Sequence, residues 1–93
     1  MAHAPQTNEL LKTVDFGFEV QAFLESTIGR YLAARAKDEV TEALELLKAV
    51  DPENPKAVRA LQNRVAVAEN VLYWLAEAIQ EGQSAEAQLT QGD

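Results

Sequence analysis

Chemistry at a protein site needs a nucleophile, a titratable group or a metal ligand held beside a partner. This chain offers few. It has no cysteine and one histidine, His3. A thiolate nucleophile, a disulfide and a Cys-ligated zinc are therefore excluded. His3 stands in a polar N-terminal stretch, so a Ser–His–acid triad lacks an imidazole among packed elements. A metal site would lack a second histidine. Carboxylates such as Glu42 and Glu45 are spaced to share a wet helix face. Nothing near them in sequence would desolvate one and separate its pKa from the other's. There is no glycine-rich phosphate loop. The expectation is a protein that is not an enzyme and takes no metal, cofactor or small-molecule substrate.

What remains is the chemistry of contact. Lys48, Lys56, Arg59 and Arg64 gather around the turn at 51–55, and dimerisation would double that basic patch. Asp51 and Glu53 sit inside it, however, and the net charge of the chain is −7. An acidic balance disfavours nonspecific binding to nucleic acid or acidic lipid. It keeps a helical assembly soluble, and it also permits an acidic surface that imitates DNA. Tyr73 and Trp74 are adjacent and so point to different faces, with Trp74 an apolar anchor and Tyr73 at a boundary. Arg30, Tyr31, Lys56, Arg59 and Tyr73 are the candidate surface for a protein partner.

These residues are positioned by helices. The longest expected one runs from about Pro55 to Glu81. Val58, Leu61, Val65, Ala68, Leu72, Leu75 and Ile79 recur at alternating steps of three and four, the coiled-coil spacing over three heptads. Ala60, Val67, Val71, Trp74 and Ala78 form a second apolar edge that a single helix neighbour would leave uncovered. The N-terminal element at 16–24 can cover part of it and a second copy of the chain the rest, so a homodimer or higher oligomer built as a four-helix bundle is expected. Val67, Val71, Trp74, Ala78, Phe16 and Phe23 are the candidate self-interface.

Residues 27–50 read as another long helix, with Ala33, Ala36, Val40, Ala43, Leu47 and Val50 on its seam. Leu32 and Leu44 widen that stripe. Arg35 with Glu39 and Glu45 with Lys48 have ion-pair spacing on its polar face. Arg64 has Glu69 or Glu39 as possible partners. The segment DPENP at 51–55 is a turn, with Asn54 capping a helix that starts at Pro55. Five connecting residues predict antiparallel neighbours.

Upstream, Ser26 is expected to cap the second helix after a break, with Gly29 in its first turn. Residues 15–25 form a short helix capped by Asp15, with Phe16, Val20, Phe23 and Leu24 on its packing side. That element either closes the core or fills a groove on a partner. Residues 1–14 are expected as a flexible tail without a signal peptide. Gly82 is expected as a left-handed C-cap, and residues 83–93 as a second flexible tail. The fold class is thus all-α: two long helices in a hairpin, a short N-terminal helix, and one domain over 15–82. No stretch approaches the 20 apolar residues a membrane span needs.

Residues 23–82 resemble small, mostly uncharacterised helical proteins of double-stranded DNA bacteriophages, encoded among head and packaging genes. The residues that carry the resemblance are Gly29-Arg30-Tyr31-Leu32, Leu61-Gln62-Asn63-Arg64, Ala68-Glu69 and Trp74-Leu75-Ala76-Glu77-Ala78-Ile79. The resemblance brings no catalytic residue. It implies a viral protein that works by contact, in assembly or on a host factor, located in the host cytoplasm or on the virion. The main functional expectation is a self-associating structural or interaction protein. The alternative is a phage regulator acting on nucleic acid or on a host nucleic-acid-binding protein, including by DNA mimicry.

Overall fold

The computed structural model describes residues 3–91, with side chains from Gln6 onward. The His3 side chain and residues 1, 2, 92 and 93 lie outside the described set. The fold is all-α, a three-helix bundle of α1 (His3–Glu25), α2 (Thr27–Ala49) and α3 (Pro55–Gln91). Both α1 and α2 pack along α3, and they meet each other where Gly29 lies against Phe23 and Leu24. Glu39 meets Arg64 near the 51–54 turn, whereas Gly17 meets Gly82 far from it. So α3 runs back first along α2 and then along α1.

The helix ends follow the local chemistry. Ser26 has extended backbone angles (φ −73°, ψ 162°), and its Oγ accepts the Gly29 N–H at 3.0 Å. At the start of α3 the Ala57 N–H donates to Asn54 Oδ1 at 3.2 Å, with Pro55 as the first helical residue. Inside the turn the Glu53 N–H donates to Asp51 Oδ1 at 2.9 Å. These are the side-chain acceptors that orphan N–H groups at a helix start require.

Several expectations give way. The N-terminal helix is not short: α1 has 23 residues, as many as α2. It runs straight through Asp15 and Gly17, so Asp15 caps nothing. Gly82 is not a left-handed cap either, because no described glycine has positive φ and α3 continues to Gln91. The reason is tertiary. Gly17 and Gly82 are both buried where α1 crosses α3. A Cβ on Gly82 would lie 3.0 Å from Gly17 Cα and 3.3 Å from the Thr13 carbonyl oxygen. Glycine stands here for the approach of two backbones, a use that looks the same as a cap in sequence. Helix therefore extends into both stretches expected as tails.

The seams of the two long helices face inward as their spacing predicts. Ala43 and Ala68 are buried, and Val40, Leu47, Val58, Leu61, Val65, Leu72, Leu75 and Ile79 are half-buried. On α1 the packing side is Leu10, Thr13, Val14, Gly17, Val20 and Leu24. Phe16, Phe18 and Phe23 are exposed, Phe18 at the edge of the contact with α3. Val20 and Leu24 thus do what was expected of that side, while Phe16 and Phe23 do not close the core. The glycine crossing explains this. It brings the α1 and α3 backbones too close to admit a phenylalanine between them.

Candidate contact surface

Among the described residues the buried apolar side chains are Val20, Ala43, Ala68 and Ala85, and no large side chain is fully buried. The radius of gyration is 18.7 Å, against about 12 Å for a compact domain of this length. The accessible surface is 7014 Å², whereas a folded monomer of this mass exposes about 5,300 Å².

An exposed apolar groove lies between α2 and α3. It is open, has a volume of about 580 Å³ and is lined by Leu32, Ala36, Ala60, Val67, Ala68 and Val71, with the polar residues Arg35, Glu39, Asn63 and Arg64 among them. Val67 is 65% exposed and Trp74 61% exposed. Trp74 follows Val71 by three residues and extends the same edge of α3. On α2, Ile28 and Tyr31 each precede a groove residue by four, and they are 67% and 64% exposed. The α3 edge therefore continues across the groove onto α2. Sequence reasoning missed Ile28 and Leu32 as members of this face. Nothing in the α2 seam spacing says which of its flanks lies beside Val67. Ala78, the last residue of the α3 edge, is half-buried.

Arg64 closes the groove toward the turn. Its Nε–H donates to Glu39 Oε2 at 2.7 Å, and its Nη2–H donates to Glu39 Oε1 at 3.1 Å and to Glu42 Oε1 at 2.7 Å. Arg35 adds a contact to Glu39 at 3.4 Å from the previous turn of α2. Hydrogen bonding from Arg64, and secondarily its charge and Arg35, hold the Glu39 carboxyl below the usual carboxylate range against partial desolvation. The two carboxylates hold the Arg64 guanidinium above its usual range. Of the two partners considered for Arg64, Glu39 is the one in place. Glu42 was unforeseen, although its position one turn after Glu39 on α2 was the available signal.

The remaining candidates are scattered. Phe16 and Phe23, seven residues apart, share one edge of α1. Phe18 lies on another, lining a small groove with Val14, Gln21, Ile79 and Gln83. Arg30 Nε–H donates to the Glu25 carbonyl at 3.0 Å, bridging the α1–α2 junction. Tyr73 is exposed and its hydroxyl reaches Glu77 Oε2 at 3.3 Å on its own helix. Lys56 and Arg59 line a shallow groove beside Pro55, Ala60 and Asn63. Of the four cations expected around the turn, Arg64 and Lys48 are engaged by carboxylates. The five residues suggested for a partner surface do not form one patch: Arg30 and Tyr31 are near the junction, Lys56 and Arg59 near the turn.

Among the described residues no three His, Asp or Glu side chains gather where they could hold a metal ion. No described helix is long and apolar enough to cross a membrane. No protein-family model, curated protein or solved structure matches this chain.

Proposed function

We propose that this chain is a non-enzymatic protein that works by contact, associating with itself into a larger helical bundle and presenting the outside of that bundle to a protein partner. One observation carries the reading: the chain exposes 7014 Å², about 1,700 Å² more than a compact monomer of its mass. The exposed surface includes Val67, Trp74, Tyr31 and Ile28, and the excess is of the size that an obligate interface removes from water. A dimer formed by stacking two α2–α3 hairpins supplies the burial a three-helix monomer lacks. A role in bacteriophage assembly rests on the resemblance of residues 23–82 to phage head-gene proteins. A regulator that binds nucleic acid directly has less support, because Arg64 and Lys48 are already paired with carboxylates.

Light scattering on the intact chain across a concentration series tests the proposal. The expected mass is twice 10.2 kDa or a higher multiple. A monomer at every concentration up to the millimolar range would remove self-association from the reading. A low-salt titration with duplex DNA tests the alternative, which requires binding that weakens steeply with salt and is lost in Lys56→Glu or Arg59→Glu.

A further inference from the structure

We infer that the self-interface is the face shared by α2 and α3, and that its occupant is the same face of a second copy. The inference rests on the proposal of self-association and names the surface that performs it. Ile28, Tyr31 and Leu32 on α2 face the same side as Val67, Val71 and Trp74 on α3, and all six are exposed. From their fractional exposures these six side chains leave about 700 Å² uncovered per chain, so pairing two copies removes about 1,400 Å², within the range of a specific interface.

Charge points to the same occupant. Arg35, Arg64, Glu39 and Glu42 beside the groove are two cations and two anions, joined to one another. The charges that line or close the groove therefore sum to zero in a chain of net charge −7. Two copies brought together on any acidic face would repel. On this face they meet without a charge penalty. A two-fold axis places each copy's patch on the other's, which suits a surface whose apolar residues stand beside internally satisfied ion pairs. The groove between the helices accepts side chains from the opposing layer, with Trp74 as the anchor.

The experiment compares the wild type with Val67→Glu, and with Leu44→Glu as control. Leu44 is exposed on the opposite flank of α2, among Thr41, Leu47 and Lys48. Mass by light scattering, helix content by circular dichroism and Trp74 emission are recorded against concentration. Trp74 is the sole tryptophan, so its emission reports this face. The expected result is a wild-type dimer whose emission shifts to the blue as it forms. Val67→Glu should raise the dimer dissociation constant by about a hundredfold or more, and Leu44→Glu should leave it unchanged. A dimer that persists in Val67→Glu, or that forms with no change in Trp74 emission, would overturn this face and leave self-association standing, with the α1 phenylalanines as the next surface. A wild type that stays monomeric would overturn both, and the face would then belong to a different protein. Should Val67→Glu fail to fold, the wild-type emission series alone decides.

Discussion

Gly29→Ala is the sharpest probe of the fold, because the usual sign of the substitution reverses. Replacing glycine by alanine inside a helix ordinarily stabilises it by about 1 kcal/mol. Gly29 lies in the first turn of α2 and is buried against the end of α1. A methyl group there would overlap the Phe23 carbonyl oxygen and lie 2.9 Å from Leu24 Cα. Both neighbours are backbone, so no rotamer change relieves the clash. The α1–α2 elbow would have to open, straining the Ser26 cap whose Oγ holds the Gly29 N–H. Overpacking of this kind costs about 1–3 kcal/mol, and loss of the cap adds about 1 kcal/mol. Set against the helix-propensity gain, the net loss is about 2 kcal/mol, or about 10 °C in Tm for a domain of this size. Urea and thermal denaturation followed by circular dichroism measure it. Protein concentration must be held fixed, since association adds to apparent stability. Ala34→Gly, at an exposed position of α2, calibrates the propensity term. If Gly29→Ala is as stable as the wild type or more so, the elbow is absent and α1 runs on into α2 as one continuous helix.

Three further outcomes follow from the same packing. Gly82→Leu, placed against Gly17 Cα, should drive α1 off α3 and destabilise by about 3 kcal/mol, seen as a lower urea midpoint. Had Gly82 been a helix cap, the same change would shorten α3 without loosening α1, which hydrogen exchange at Val14 to Gln21 distinguishes. Ser26→Ala removes the N-cap of α2 and should cost about 1 kcal/mol by the same denaturation assay. Glu39 has a carboxyl held low by Arg64 in the folded chain, so its contribution is fully present above the ordinary carboxylate range. That contribution is lost as pH falls through the lowered folded value. The acid limb of the stability curve should therefore flatten in Glu39→Gln, and an unchanged limb would show that the ion pair does not form in solution.

Much of the local architecture was legible because it depends on neighbours in sequence. The three-four spacing from Val58 to Ile79 marked the inward side of α3, and Asn54-Pro55 marked its start. Ser26 marked the break before α2 for the same reason: a cap needs only a side-chain oxygen three residues ahead of an N–H. The pairings Arg35–Glu39 and Glu45–Lys48 follow from helix geometry alone. Length and side were harder to read. A stretch of moderate polarity such as 3–14 is helical when another helix lies beside it, and its own spacing does not say so.

What the sequence determined by itself is therefore the all-α class, the seams, the caps at Ser26 and Asn54 and the absence of cysteine chemistry, since each is a property of residue type at short range. Only the tertiary structure decided what Gly17, Gly29 and Gly82 are for, because a glycine in sequence is equally a cap, a break or a close approach. It also decided that Arg64 reaches Glu39 and Glu42, and that Ile28 and Leu32 join Val67, Val71 and Trp74 on one face. Those facts depend on which flank of one helix lies against which flank of another. That choice is made by packing between residues far apart in the chain, on which the periodicity of either helix alone is silent.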